Sequence, residues 1–372
     1  MLFNFQAVAV ARSADLRLQV WASAEPGPNL WTRWKASSAE DAGWTPWQPF
    51  PSMNTAAGIP VLPGYVFAAQ LLGEAQKRDP TRPEANAGRM QLWDATSATD
   101  PDLFTTVKSS EHPSAPWNPW IPFTAPPPAV PVGPYEVTRG AVVPLADGRL
   151  QVWVFVIGGP ETGIWSTVQT GEQWDASWSD WAKFSLPDAP SALYDPTGAQ
   201  LPDGRTQLWA FGPGPGGGVG TVWTTIRQAV AGDVNDPLSA WEPWSTFEVS
   251  SANGTPPTIV SPVSGLRAAT DGDGRAYIWM NTTRDLHSNN WVYTYSDQSV
   301  PVVWHPLVDF PTPTSQGTTF NAGITAATLP AGGLQMFFLT FPVPPTPGKI
   351  WTSWQQAGQG PTSWTNWEDF SL

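Results

Sequence analysis

Four tryptophans in the sequence are each followed, two residues later, by a side chain that can hydrogen-bond a sugar hydroxyl. The surrounding segments are rich in Thr, Val and Ile and predict β-strands, in which residues two apart share a face. The four pairs are Trp31 with Arg33, Trp165 with Thr167, Trp223 with Thr225, and Trp351 with Ser353. An indole covers the apolar face of a sugar while neighbouring polar groups hold its hydroxyls. We therefore predict these eight residues as carbohydrate contacts, although packing between repeated elements explains the tryptophans equally well.

The sequence gives little evidence for a catalytic or metal-binding set of residues. His112, His287 and His305 lie far apart in the sequence, and no Ser–His–Asp set can be assembled around them, so no catalytic residue is predicted. There is no cysteine, which excludes a thiolate nucleophile and a Cys–zinc site. Asp271 and Asp273 are each followed by Gly and resemble the start of a calcium loop, but the further oxygen ligands and the distal Glu are missing. No cofactor or metal is predicted, and calcium is kept only as a minor alternative.

The tryptophans belong to a repeat. The motif Trp-x-x-Trp-x-x-Phe begins at Trp44, Trp117, Trp178, Trp241 and Trp364, and a sixth copy begins at Trp304 with Leu307 as its second residue. Successive copies are 60 to 73 residues apart. A Gln-x-Trp segment precedes them, with aromatics at Trp21, Trp93, Trp153, Trp209, Trp279 and Phe337. A Leu-Trp-Thr segment lies between the two, with aromatics at Trp31, Phe104, Trp165, Trp223, Tyr293 and Trp351.

Each repeat predicts four short antiparallel strands. A segment of small apolar residues comes first and the three aromatic segments follow. The turn Asp-Gly-Arg, at 147–149, 203–205 and 273–275, separates the first two strands, and its Gly suits the positive φ of a tight hairpin. Six such units predict an all-β fold, a six-bladed β-propeller of four-stranded antiparallel blades. We expect the small first strands to line the axis and the Gln-x-Trp aromatics to pack between blades.

The whole chain is predicted as one domain. We place the blades at about 1–52, 53–125, 126–186, 187–249, 250–311 and 312–372, with the Pro-rich joints in loops because proline lacks a ladder donor. Both ends of the sequence fall at repeat boundaries, which suits a closed ring.

Composition excludes several classes of partner. The formal net charge is −13, which is a poor match for nucleic acid or an anionic membrane. No apolar run is long enough for a spanning helix. The first residues indicate a strand and not a signal peptide, so we expect a soluble protein that is cytoplasmic or released by a route without a signal peptide. An oligomer is compatible with the sequence.

The three-part order of Gly-Arg-Leu-x-Val-aromatic, Leu-Trp and Trp-x-x-Trp resembles the blades of tectonin-type propellers, and is most similar to the bacterial PLL-type propeller lectins. The resemblance covers all six units, whereas the PLL-type lectins have seven blades. It implies a multivalent, non-enzymatic lectin that binds fucose and related sugars in pockets between blades. Some tectonin-type relatives also hold calcium.

We therefore expect a lectin that is not an enzyme, with carbohydrates or glycoconjugates as partners. A protein-interaction scaffold is an alternative, which predicts a large exposed apolar patch on one propeller face. A glycosidase or lyase is a further alternative, which predicts one axial pocket with clustered carboxylates and perturbed titration.

Overall fold

Strands and the segments that connect them make up nearly all of the part of the chain that the structure describes. The computed structural model describes residues 4–13, 15–25, 29–53, 63–71, 89–95, 103–110, 115–123, 136–145, 147–171, 175–214, 220–228, 236–249, 265–285, 288–299, 302–313, 320–341, 348–356 and 358–371. One turn of 3-10 helix, Gly159–Glu161, is the only helical segment within these ranges. The described residues contain no helix long and apolar enough to cross a membrane.

The strands form six antiparallel sheets of four, one for each repeat. Blade 1 contains β1 (Asn4–Arg12), β2 (Leu18–Glu25), β3 (Asn29–Trp34) and β4 (Gln48–Pro49). Blade 2 contains β5 (Tyr65–Gln70), β6 (Met90–Ala95), β7 (Leu103–Val107) and β8 (Ile121–Phe123). Blade 3 contains β9 (Glu136–Pro144), β10 (Leu150–Ile157), β11 (Gly163–Val168) and β12 (Ala182–Lys183). Blade 4 contains β13 (Tyr194–Gln200), β14 (Thr206–Gly212), β15 (Thr221–Arg227) and β16 (Ser245–Thr246). Blade 5 contains β17 (Leu266–Thr270), β18 (Ala276–Asp285), β19 (Ser288–Tyr295) and β20 (Val308–Phe310). Blade 6 contains β21 (Phe320–Thr328), β22 (Leu334–Phe341), β23 (Lys349–Trp354) and β24 (Glu368–Asp369).

The first strands of the blades form a closed ring around the axis. Each one contacts the first strand of the next blade, and β21 of the last blade contacts β1. Hydroxyl groups connect neighbouring first strands: Thr270 Oγ1 donates to Gln200 O at 2.7 Å, and Thr328 Oγ1 donates to Thr270 O at 2.8 Å. The predicted six-bladed propeller is confirmed.

The predicted Asp-Gly-Arg hairpins are also confirmed. Gly148, Gly204 and Gly274 have φ values of 85°, 83° and 84°, in the region that favours glycine. In the blade 4 turn, Asp203 Oδ1 accepts a hydrogen bond from the backbone N–H of Arg205 at 3.1 Å. The glycine sets the turn, and the carboxylate and the arginine brace it.

The aromatic columns pack across the seams between blades. All five Gln-x-Trp tryptophans have an exposed fraction of 0%, which confirms their predicted packing role. Each meets the first tryptophan of the next blade's Trp-x-x-Trp motif edge-on, as Trp21 does with Trp117 at a ring-centroid distance of 5.5 Å and an angle of 89°. Phe337 of blade 6 meets Trp44 of blade 1 in the same way, at 5.8 Å and 89°. Edge-to-face pairs favour this perpendicular geometry, so one contact type recurs around the ring.

A buried side-chain network fixes the second strand against the third in five blades. In blade 1, Gln19 Nε2 donates to Thr32 Oγ1 at 2.9 Å, and that hydroxyl donates to Val20 O at 2.9 Å. Blades 2, 3, 4 and 6 repeat it with the pairs Gln91–Thr105, Gln151–Ser166, Gln207–Thr224 and Gln335–Thr352. These glutamines therefore connect two strands of one blade, and Gln151 also accepts a hydrogen bond from Arg227 of blade 4.

Blade 5 departs from the pattern, and the prediction for it was one residue out of register. Tyr293 pairs with Trp279, just as Thr32 pairs with Trp21, so Val292 holds the position predicted for Tyr293. Tyr277 replaces the glutamine, and its ring and that of Tyr293 stack on Trp279 at interplanar angles of 14° and 23°. In blade 5, stacked tyrosine rings replace the Gln–Thr hydrogen bond. The sequence pattern alone did not show that Tyr293 is one residue away from the position of the Leu-Trp-Thr aromatic.

Candidate functional site

The eight predicted carbohydrate contacts lie on the third strands of four different blades, and the structure does not bring them together. The tryptophans pack toward the preceding blade: Trp31 with the residues of blade 6, Trp165 with blade 2, Trp223 with blade 3 and Trp351 with blade 5. Trp165 is buried, and the other three are half-buried. The predicted residues thus form four separate seams.

The predicted hydroxyl groups are used inside their own blades. Thr225 Oγ1 donates to Glu242 O at 2.6 Å, and Ser353 Oγ donates to Thr365 O at 2.9 Å. Thr167 Oγ1 likewise donates to Ser179 O at 2.8 Å. In each case the acceptor directly follows the first tryptophan of Trp-x-x-Trp, so the hydroxyl connects the third strand to the segment before the fourth. Their exposed fractions are 2% or less.

Arg33 holds the same position in blade 1 and reaches into blade 6. Its Nη1 donates to Phe370 O at 3.1 Å, and its guanidinium lies 4.5 Å from the Phe370 ring centroid and 5.5 Å from that of Trp47. Burial lowers the pKa of Arg33 to about 10, which leaves it protonated at neutral pH. Arg33 thus joins the first and last blades.

Hydrogen bonds to protein oxygens are made by the indole N–H groups of Trp165, Trp223 and Trp351. Trp223 Nε1 donates to Pro213 O at 2.9 Å, and Trp165 Nε1 donates to Glu161 O at 3.0 Å. Trp351 Nε1 lies 3.2 Å from Thr340 Oγ1. These contacts anchor the indoles within the blades, and the assignment of the eight residues as carbohydrate contacts stays a prediction.

A different set of polar residues meets at the axis, at the end where the first strands begin. The strand register places Ala7, Tyr65, Arg139, Tyr194 and Gly323 at one level. In blade 5, Gly265 comes directly before the pair Leu266–Met280 and so stands at the same level. Small residues come from blades 5, 6 and 1, and large polar ones come from blades 2, 3 and 4. The level is therefore asymmetric, unlike the repeating seams.

Asp195 is the centre of this group. Its Oδ2 accepts a hydrogen bond from Leu266 N at 2.8 Å and pairs with Arg139 Nη1 at 2.9 Å, while Oδ1 pairs with Arg267 Nη1 at 3.1 Å. Asp195 is 4% exposed and has a φ of 54°, a conformation that costs a non-glycine residue free energy. The two ion pairs stabilise Asp195 in this conformation. The residue lies where the register between β13 and β14 shifts, between Tyr194 and Thr197.

The charges of the group reinforce one another. Burial alone would raise the pKa of the Asp195 carboxyl, but Arg139, Arg267 and the Leu266 N–H hold that pKa below its ordinary value. Asp195 in turn raises the pKa of Arg139, against the effect of burial. Tyr65 lies near both arginines, since its phenolate, when ionised, raises the pKa of each of them. We call Tyr65, Arg139, Asp195 and Arg267 the axial cluster.

Glycines border the cluster on one side and open space lies on another. A Cβ added to Gly265, whose φ is +98°, would lie 2.5 Å from Asp195 Oδ2 and 2.9 Å from Arg139 Nη1. A Cβ added to Gly323, at the axial level in blade 6, would meet no atom within 4 Å. The cluster is therefore closely packed against Gly265 of blade 5, whereas the space beside Gly323 of blade 6 is open.

Asp94 stabilises the segment that leads into Tyr65 of the axial cluster. Its Oδ1 accepts a hydrogen bond from Gly64 N at 2.9 Å, directly before Tyr65, and its side chain is 0% exposed. Burial raises the pKa of this carboxyl to about 8, although the Gly64 N–H opposes the shift. A neutral acid thus positions the start of β5, the strand that carries Tyr65.

Sequence reasoning missed this group because none of its members repeats. Arg139, Asp195 and Arg267 belong to three blades and fall outside the aromatic columns. The sequence did contain one signal, which was the presence of charged residues in first strands that otherwise consist mainly of small and apolar residues. The predicted calcium alternative lies elsewhere: Asp271 Oδ1 caps its own turn through the backbone N–H groups of Asp273 and Arg275.

No protein-family model matches the sequence, and no curated protein matches it. Solved structures match its architecture. The α-L-arabinanase of Penicillium chrysogenum, complexed with arabinobiose, is 13% identical over 96% of this chain and 97% of that chain, with a TM-score of 0.62. The α-L-arabinofuranosidase of Fusarium graminearum, with an iminosugar inhibitor, is 13% identical over 96% and 94%, with a TM-score of 0.59. The intramolecular trans-sialidase of Ruminococcus gnavus is 9% identical over 90% and 89%, with a TM-score of 0.52. At these identities the likeness shows the fold.

The comparisons correct two expectations from the sequence. The prediction of a multivalent fucose-type lectin, and the prediction that the chain is not an enzyme, are wrong, because the three structures named above that share this architecture are two glycosidases and a trans-sialidase. The physical reason is visible at the seams. The aromatic columns that suggested sugar clefts largely pack on one another, and the hydroxyl groups beside them bond to backbone carbonyls.

Proposed function

We propose that this protein is a glycoside-processing enzyme whose substrate binds at the axial cluster. The carrying observation is the group of Tyr65, Arg139, Asp195 and Arg267, which gathers charge and strained backbone at one end of an otherwise small and apolar axis. Perturbed ionisable groups and backbone strain concentrate at functional sites. The fold likeness to an arabinanase, an arabinofuranosidase and a trans-sialidase supports the same class of reaction.

Within the cluster, Asp195 is a positioning residue. Its two oxygens already accept three donors, and its two arginine partners stabilise the ionised form, so it is a poor nucleophile or base. Its role is to hold the two guanidinium groups, whose planar N–H donors suit substrate oxygens. An axial site with several carboxylates was the sequence-based expectation for an enzyme, and the described cluster instead has one carboxylate between two arginines.

Tyr65 is the most exposed member of the cluster. It is 37% exposed, at the first position of β5. Most glycosidases use two carboxyl groups, but a phenol takes the nucleophile's place in some of them. We propose that the Tyr65 phenol contacts the sugar at the glycosidic bond that is cleaved. The two arginines would hydrogen-bond the sugar and hold its ring in place.

The test is hydrolysis of chromogenic α-L-arabinofuranosides and fluorogenic sialosides by the full chain and matched variants. We expect turnover of one of the two classes, and its loss in Tyr65→Phe, which removes only the phenol oxygen. Tyr194→Phe, at the same axial level, is the control and should keep activity. Arg139→Lys keeps the charge beside Asp195 but loses the guanidinium fork, so it should fold and turn over more slowly.

Two results would refute the proposal. One is a folded wild-type chain that neither hydrolyses nor binds any member of either class. The other is equal activity in Tyr65→Phe, Arg139→Lys and the wild type, which would place the reaction elsewhere.

A further inference from the structure

A cavity lies at the seam between blades 1 and 2, at the opposite end of β1 from the axial cluster. Its volume is about 320 Å³, and Ser13, which follows the end of β1, forms part of its wall. The axial cluster lies where the first strands begin. The cavity is therefore separate from the site proposed above, and a ligand bound in it would not depend on turnover there.

Most of the polar side chains that line the cavity already have partners in the protein. Ser13 Oγ donates to Arg17 O at 2.8 Å, and the Arg17 guanidinium is ion-paired with Asp15. Lys108 also has an interaction of its own within the protein, and the negative charge of Asp15 raises the pKa of Lys108 against the effect of burial. The two basic residues are therefore already engaged, and a ligand does not have to bring a charge.

The side-chain oxygen of Gln19 is the exception. Gln19 lines the cavity and is only 6% exposed. Its Nε2 donates to Thr32 Oγ1 at 2.9 Å, and that hydroxyl donates its own proton to Val20 O at 2.9 Å. Because the Thr32 hydroxyl can then only accept from Gln19, the amide nitrogen must face it. The amide oxygen is left as a hydrogen-bond acceptor without a partner among the residues that the structure describes.

The corresponding glutamines of other blades show what this oxygen can bind. In blade 3, Gln151 Oε1 accepts a hydrogen bond from Arg227 Nη1 of blade 4 at 2.9 Å, so the next blade supplies the donor. In three other blades the oxygen has no partner in the described part of the chain and is enclosed by protein atoms. These glutamines are Gln91, Gln207 and Gln335. Gln19 lines an open volume, where a bound molecule can supply the donor that Arg227 supplies to Gln151.

Aromatic and proline side chains form much of the remaining wall. Trp34 and Trp117 are half-buried, and Phe50 lies beside them with the two prolines that flank it in the sequence. Such surfaces favour a flat apolar ring, and the volume admits a molecule of two fused rings. We propose that the blade 1–2 cavity binds a small, neutral heteroaromatic molecule with an N–H group. Its ring lies against Trp34 and Trp117, and its N–H donates to Gln19 Oε1.

Calorimetric titration of the full chain with indole tests this site, with benzofuran as a probe of the same shape that has no N–H. We expect saturable indole binding that is about tenfold or more tighter than benzofuran binding, because benzofuran leaves the Gln19 oxygen unpaired. Gln19→Met removes that oxygen and should bind the two probes with similar affinity. Gln91→Met is the matched control and should keep the preference, since Gln91 makes the same hydrogen bond to Thr105 in blade 2 but its oxygen is enclosed.

Circular dichroism establishes that each variant is folded. If Gln19→Met does not fold, Trp34→Leu takes its place and should weaken indole binding about fivefold or more through the lost ring contact. Trp354→Leu, at the corresponding position of blade 6, should leave indole binding unchanged.

Equal affinity for indole and benzofuran, or no saturable binding of either to the folded wild type, would overturn the proposal. An unchanged preference in Gln19→Met, or an equal loss of it in Gln91→Met, would also overturn it. Unchanged indole binding by a folded Trp34→Leu variant would place the ligand elsewhere and contradict the proposal in the same way.

Discussion

Asp94 is the residue that breaks the repeat most sharply. Directly after the aromatic of the second strand, the other blades carry Ala22, Val154, Ala210, Met280 and Phe338, all of which are buried and apolar. A carboxyl in this environment favours its neutral form, since an isolated charge there is poorly solvated. Because Asp94 accepts the N–H of Gly64, it fixes the chain just before Tyr65. One substitution in a repeat can therefore prepare a functional position.

Asp94→Asn should make the protein less sensitive to pH. The folded-state pKa of Asp94 is raised from 3.8 to about 8, so the folded state binds this proton more tightly than the unfolded state does. Wild-type stability should fall as pH rises between these values and level off above about 8. An asparagine can still accept from Gly64 but does not titrate. We expect the melting temperature of the Asp94→Asn variant minus that of the wild type to grow across that window; a constant difference would contradict a buried neutral Asp94.

At the scale of a strand, hydroxyl groups perform a task that the sequence suggested for ligand binding. Thr167, Thr225 and Ser353 connect the third strand of a blade to the segment that leads into the fourth. The fourth strands have only two or three residues, so their own ladders offer few hydrogen bonds. In blades 3, 4 and 6, a side-chain hydrogen bond at the entry to the short strand compensates for this.

Thr225→Val should destabilise the protein without changing its shape. The substitution keeps the side-chain volume but leaves the Glu242 carbonyl without its hydroxyl donor, which costs about 1 to 3 kcal/mol. Urea denaturation followed by tryptophan fluorescence measures the loss. Ser37→Ala, at an exposed position, should change the midpoint little. A Thr225→Val variant as stable as the wild type would show that this hydroxyl is not a structural connection.

The beginning of β17 is shaped by the cluster beside it. Gly265 combines a positive φ with a distance to Asp195 that leaves no room for a side chain. Gly265→Ala should therefore push Asp195 away from its arginines and reduce both stability and turnover. Gly323→Ala is the comparison, since its Cβ would meet nothing within 4 Å and its stability should be close to wild type. Equal melting temperatures for the two variants would contradict this view of the axial level.

The strand pattern was readable from the sequence, whereas the positions that do chemistry were not. Six copies of the aromatic segments indicate the number of blades and place the Gln-x-Trp tryptophans in the core, because bulky rings recur wherever two blades face each other. Tyr293 shows the limit, since an aromatic at the position of Thr32 looks like a shifted Leu-Trp-Thr segment. The axial cluster is invisible to a repeat pattern because its residues occur once each and meet only when the ring closes.

For the whole molecule, closure of the ring depends on the contact between the first and last blades. Blade 6 has Phe337 where the other blades have tryptophan, and Trp44 packs edge-on against it. Arg33 adds a hydrogen bond to Phe370 O and lies over the Phe370 ring. At this seam a cation replaces the hydroxyl of the other blades and reaches the neighbouring blade.

Arg33→Met should weaken this closure. The variant loses one buried hydrogen bond and the cation–π contacts, which together are worth about 1 to 3 kcal/mol. Thermal unfolding should show a lower melting temperature, with faster hydrogen exchange in β1 and β24 before other strands. Arg205→Met, in the turn between β13 and β14, is the control and should leave exchange in β1 and β24 unchanged. Uniform acceleration of exchange across all blades would argue against a specific role at this seam.

The most direct test of the account is a crystal structure of the chain soaked separately with arabinobiose and with a sialic acid analogue. We predict that one of the two binds at the axial end, within hydrogen-bonding distance of Arg139 or Arg267 and in contact with Tyr65. Sugar density found only at the seams beside Trp31, Trp165, Trp223 or Trp351, with an empty axial end, would contradict the proposed glycoside-processing site.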